Sequence, residues 1–145
     1  MRFYSGKIVK LQTFYQKKIM SANNSTKKLL IVDDSKVSRM VIRAHILAKM
    51  PAWQIIEAAS GDEAIALVDR DTPDYCTMDI NMPGILGTDA AEQILAKYPT
   101  IRIVVFSANI QETFQTRANS AGAVFVAKPV TEKSIALALE HFTGE

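Results

Sequence analysis

The chain has a single cysteine, Cys76, among its 145 residues. No internal disulfide can staple it, and a lone thiol inside an apolar run reads as a small buried hydrophobe. No stretch approaches the ~18 consecutive apolar residues of a membrane span. A secretory signal is missing as well, because Lys10, Gln12 and Thr13 interrupt the one apolar patch near the start. With neither export nor anchorage written into it, the chain is expected in the cytoplasm. Its two histidines, His45 and His141, lack metal-ligand spacing to one another or to the cysteine. Both are expected at the surface. Internal repeats and low-complexity segments are absent.

Acidic residues are missing from one region only. Residues 1–28 hold seven of the 17 Lys and Arg and none of the 15 Asp and Glu. The rest of the chain is therefore acidic by five, although the whole is net +2. A domain-wide nucleic-acid footprint needs clustered basic charge on the fold, which this balance excludes. Residues 1–26 are expected to form a basic extension, disordered or partly helical, since Ile8, Leu11, Tyr15 and Ile19 fall at helical spacings. Residues 27–145 are expected to form one domain, long enough to bury a core without staples.

What the domain has is an alternation of two periods. Apolar runs near 29–32, 53–58, 74–80, 101–106 and 123–127 predict strands. Between them lie helical patterns at 35–50, from Ser60 onward, from Thr88 to Pro99, near 110–120 and at 131–142. In the first helix Val37, Met40, Val41, Ala44 and Leu47 make one stripe, the expected inward face. Acids Asp62 and Glu63 suit the first turn of the second. Thr88 is the expected cap of the third. Five βα units with short links imply a parallel sheet covered by helices on both faces, an α/β doubly wound architecture. In such sheets ligands sit beyond the carboxyl ends of the strands.

Those ends carry polar residues. Asp33 and Asp34 close the first run, Asp79 the third, Ser107 the fourth, and Lys128-Pro129 the fifth. Each has a plain reading on its own: a helix cap, a turn aspartate, a loop serine, a solvated lysine. Together they place three carboxylates, a hydroxyl and an ammonium at one sheet edge. Three clustered anions repel strongly unless a cation compensates. Hard oxygen donors point to Mg2+.

The ordered set Val32-Asp33-Asp34-Ser35, Met78-Asp79-Ile80-Asn81-Met82-Pro83-Gly84, Ser107-Ala108, Gly122-Ala123 and Lys128-Pro129 resembles the CheY-like receiver domain of two-component response regulators, over about residues 28–142. The resemblance implies a five-stranded flavodoxin/CheY-like sheet in the order 2-1-3-4-5, an order that this same family exemplifies. It implies that Asp79 accepts a phosphoryl group in an Mg2+-dependent reaction. Asp33, Asp34, Asp79 and the backbone carbonyl of Asn81 would hold the metal. Ser107, the Ala108 amide and Lys128 would bind the phosphoryl group. Ser107 and Phe125 would form the switch, and Pro129 would follow a cis peptide. A fourth-helix, fifth-strand, fifth-helix surface would carry the signal, with Gln111, Phe114, Gln115 and Phe125 as contacts.

The partners so implied are a histidine kinase or phosphotransfer protein and a downstream target protein, with the chain itself a monomer or weak dimer. With three residues after Phe142, a stand-alone switch without an output domain is expected, in a motility pathway or as a shuttle in a phosphorelay. Three other classes compete. An Mg2+-dependent aspartyl phosphohydrolase would want a second acid where Asn81 stands. A pseudo-receiver would lack part of the site set. A flavodoxin-like cofactor binder would need a hydroxyl- and glycine-rich loop where Asp33-Asp34 stand.

Overall fold

The computed structural model describes residues 26–144. The expected extension at 1–26 lies, but for its last residue, outside the described residues. Five strands, β1 (Lys28–Val32), β2 (Gln54–Ala58), β3 (Tyr75–Met78), β4 (Arg102–Ser107) and β5 (Val124–Ala127), alternate with five helices. These are α1 (Lys36–Lys49), α2 (Gly61–Asp71), α3 (Gly87–Lys97), α4 (Glu112–Ala121) and α5 (Glu132–Thr143). The sheet is parallel throughout, in the order β2-β1-β3-β4-β5. The predicted fold class and strand order are those observed.

Strand side chains alternate between the two faces, so the core divides in two. Leu30, Val32, Cys76, Met78, Ile103 and Val105 face α2, α3 and α4, which contribute Ala64, Val68, Ala91, Ile94, Leu95 and Ala118. Leu29, Ile31, Val104, Phe106 and Val126 face α1 and α5, which contribute Ile42, Ile46, Ile135, Ala138 and Phe142. Because both faces are covered, the strands read as unbroken apolar runs. At the edge remote from the polar strand ends, Trp53, Tyr75 and Phe142 pack together, with Tyr75 and Phe142 stacked at 4.9 Å between ring centroids.

Four expectations need correction. The inward face of α1 is not the predicted stripe: Ile42 and Ile46 are buried, whereas Val37, Met40 and Val41 are exposed. Both sets satisfy helical spacing. Ile42 and Ile46 pack in the core with Leu29, Ile31 and Phe142, and Arg39, on the same side of the helix, reaches Glu57 on β2 and the Asp33 carbonyl. Thr88 does not cap α3. Leu86 occupies the cap position without a side-chain hydrogen bond, and the Thr88 hydroxyl is buried two residues inside, without a partner among the described residues.

Third, β3 ends at Met78 rather than at residue 80. The Asp79 amide still donates to Val32, but the Ile80 amide is taken by the Asp79 carboxylate, so the ladder stops there. Finally, neither histidine is a free surface group: both are half-buried. Burial, reinforced by Arg102, holds the His141 imidazole below its usual pKa.

Candidate functional site

The site grows from the way three chain segments leave the sheet. At the end of β1 the Asp33 amide donates to Ala58, prolonging the β1–β2 ladder by one residue. Its side chain therefore stays on the sheet edge and is 1% exposed. Such a carboxylate needs partners. Asp33 Oδ1 accepts from the Ser35 amide at 2.9 Å, and Oδ2 accepts from Lys128 Nζ at 2.7 Å. Ser35, not Asp34, caps α1, with its hydroxyl accepting from the Ser38 amide. The exposed Asp34 carboxylate is thereby left free to face the edge.

Asp79 follows β3, its Oδ1 accepting from the Ile80 amide at 2.8 Å. The turn behind it is exceptionally close. Gly87 donates to the Ile80 carbonyl at 2.9 Å, and a Cβ at residue 87 would overlap the Asp79 carbonyl oxygen. Only glycine lets α3 start against the end of β3. The Asp79 side chain is 12% exposed. Burial pushes its carboxyl pKa above the ordinary 3.8; the Lys128 ammonium opposes that shift and Asp33 adds to it.

Lys128 follows β5, tied to β4 by its backbone amide donating to the Ser107 carbonyl, and a cis peptide precedes Pro129. Its ammonium lies 2.7 Å from Asp33, 3.1 Å from the Ser38 hydroxyl and 3.7 Å from Asp79 Oδ2. Ser107 is buried, with its hydroxyl accepting from the Asn109 amide; Ala108 is exposed beside it. Asn81 lies just beyond Ile80 and its side chain bridges to Asn109 at 2.9 Å, linking the loops that follow β3 and β4.

One carboxylate oxygen each from Asp33, Asp34 and Asp79 lies within 4.8 Å of the others. Three hard anionic donors at that separation fit a small divalent cation that retains several waters, as Mg2+ does. Phe125 stands further along β5. It is half-buried, packing on the α2–α4 side of the core together with Phe114 and also lining a surface groove with Leu137.

Three residues at the site escape sequence reasoning: Ser38, Arg39 and Glu57. Arg39 Nη1 donates to the Asp33 carbonyl at 2.7 Å, while its Nε donates to Glu57 at 2.9 Å. The signal available was spacing: Arg39 lies one helical turn after Ser35 and hence above the same sheet edge.

Residues 29–140 match the response regulator receiver domain family. The chain is 37% identical over 114 residues to the chemotaxis protein CheY of Listeria monocytogenes, covering 78% of this chain and 95% of that protein. It is 30% identical over 102 residues to the transcriptional regulatory protein DegU of Brevibacillus brevis, covering 70% of this chain but only 43% of that longer relative. Among solved structures, a chain of the CheX-CheY-BeF3-Mg2+ complex from Borrelia burgdorferi superposes with a TM-score of 0.73 at 25% identity, covering 79% of this chain and 87% of that one.

Proposed function

The chain belongs to the response regulator receiver domain family, and we propose that it works as a phosphoacceptor switch whose acceptor is Asp79. The observation that carries this reading is the meeting of Asp33, Asp34 and Asp79 at one sheet edge with the Lys128 ammonium against them. An Asp79 carboxylate oxygen attacks the phosphorus of a phosphohistidine on a kinase or phosphotransfer protein. The P–N bond breaks, its electron pair returns to the imidazole, and an acyl phosphate forms on Asp79.

Asp33, Asp34, Asp79 and the Asn81 carbonyl would hold Mg2+, which supplies charge neutralisation at the transferring oxygens. Lys128 supplies a second positive charge. The Ser107 hydroxyl and the Ala108 amide donate to the phosphoryl oxygens from the end of β4. Ser107 shifting toward the phosphoryl group gives Phe125 room to turn further inward, because the two sit on adjoining paired strands.

The readout surface is formed by α4, β5 and α5. A groove of ≈ 450 Å³ there is lined by Val124, Phe125 and Leu137, with Arg102, Glu140 and His141 at its rim. An apolar floor with a mixed polar rim suits a protein segment as downstream target. Among the described residues no helix is long and apolar enough to cross a membrane, which is compatible with a place in the cytoplasm beside a kinase. The reading is tested by incubation with acetyl phosphate. Wild-type protein takes up about one phosphoryl group per chain with Mg2+ present and none after chelation, and Asp79→Asn takes up none. Mg2+-dependent labelling of the Asn variant would refute it.

A further inference from the structure

The ammonium of Lys128 has three protons to donate. Asp33 and Ser38 take two of them, whereas Asp79 Oδ2, at 3.7 Å, lies outside hydrogen-bond range. The two partners share an anchor. The Ser35 amide holds Asp33 Oδ1 at 2.9 Å, and the Ser35 hydroxyl holds the Ser38 amide at 3.2 Å. Cap, carboxylate and hydroxyl thus form one rigid seat for the ammonium at the start of α1. Helix preference does not explain a serine at this position. Alanine is the better helix former, and the Ser35 cap uses only the backbone of residue 38.

We propose that Ser38 is a positioning residue for Lys128, a role that rests on the phosphoacceptor reading of Asp79. Asp33, were it to ligate a divalent cation, would share its carboxylate between that cation and the ammonium. The uncharged Ser38 hydroxyl ligates nothing in that exchange and remains available. It keeps the ammonium on the Asp79 side of the pocket while the Lys128 N–H that Asp33 no longer accepts turns toward the phosphoryl oxygens. Without it, Lys128 is a flexible four-carbon stem with no fixed neighbour at the moment of transfer.

Two measurements separate this role from the parent reading. In metal-free protein, the Lys128 Nζ protons observed by NMR are expected to exchange slowly with water in wild type and Ser38→Thr, and at least several-fold faster in Ser38→Ala. With Mg2+ and acetyl phosphate, Ser38→Ala is expected to label at least about tenfold more slowly, the loss that one hydrogen bond to a charged group represents. Ser38→Thr, which retains the hydroxyl, should stay within about twofold of wild type by the same reasoning.

Mg2+ affinity by calorimetry should be unchanged in Ser38→Ala. On a Lys128→Ala background, Ser38→Ala should have no further effect on labelling. Unchanged Nζ exchange in Ser38→Ala overturns the seat, as does an equal loss of labelling on both backgrounds. Failure of the wild type to label overturns the phosphoacceptor reading, and the exchange measurement still decides the seat.

Discussion

The Lys128 ammonium is hydrogen-bonded to Asp33 at 2.7 Å and stands 3.7 Å from Asp79. In the metal-free protein it is therefore the counter-ion of the buried acid and only a neighbour of the acceptor. Asp33 is 1% exposed, so removing the ammonium leaves a desolvated carboxylate without its cation.

Lys128→Ala is accordingly expected to lower metal-free stability by about 3 kcal/mol in urea unfolding. The same substitution removes the competitor for Asp33, so Mg2+ should bind more tightly in calorimetry and restore most of the lost stability. Weaker Mg2+ binding would show that Lys128 supports the metal geometry rather than competing with it.

Gly87 starts α3 directly against the backbone that follows β3. A methyl at residue 87 meets the Asp79 carbonyl oxygen, which cannot move without moving β3. Gly87→Ala is expected to destabilise the fold by about 3 kcal/mol or more, since strain against backbone is among the few mechanisms with effects that large. It should also weaken Mg2+ binding, because Asp79 itself is displaced. Wild-type unfolding and metal affinity in this variant would mean that α3 can start elsewhere at little cost.

How much of the fold and site is legible in the sequence follows from which signals are unique. The strand ends at Asp33, Ser107 and Lys128 are legible because long apolar runs stop there, and short links leave few ways to connect them. The strand order comes from the resemblance, since periodicity says nothing about which strands are neighbours. The face of α1 is misread because Val37, Met40 and Val41 repeat as well as Ile42 and Ile46 do. What periodicity does not reveal is which face meets the rest of the fold: Ile42 and Ile46 pack on strand and α5 residues, and Arg39 beside them reaches Glu57 and the Asp33 carbonyl. Ser38 escapes for the same reason: its partner, Lys128, is 90 residues away. Thr88 shows the converse, a residue of the right type for a cap two positions out of place.

A third prediction comes from the raised pKa of Asp79. When the folded value exceeds the unfolded one, folding takes up a proton between the two. Ionisation then weakens the fold as pH rises from about 3.8 through the folded value, and the loss is complete above it. In metal-free protein at pH 7, Asp79→Asn should therefore raise Tm, and the gain should shrink as pH falls toward that lower bound. A variant less stable than wild type at pH 7 would show that the ionised carboxylate is held favourably after all.

Cys76 gives the fourth. It is fully buried between the strands, and burial pushes its thiol far above the usual range. A thiol reagent should leave the native protein unmodified for as long as it stays folded and react with about one group per chain in denaturant. Rapid native-state reaction would contradict the packing of β3 in the core.

The most direct test of the central claim locates the phosphoryl group chemically. An acyl phosphate is reduced by borohydride, which converts an aspartyl phosphate to homoserine. After Mg2+-dependent reaction with acetyl phosphate, reduction and peptide mass mapping, homoserine is predicted at position 79 and at no other carboxylate. Homoserine at position 33 or 34, or a phosphoryl group that survives reduction on a hydroxyl such as Ser107, would contradict the account.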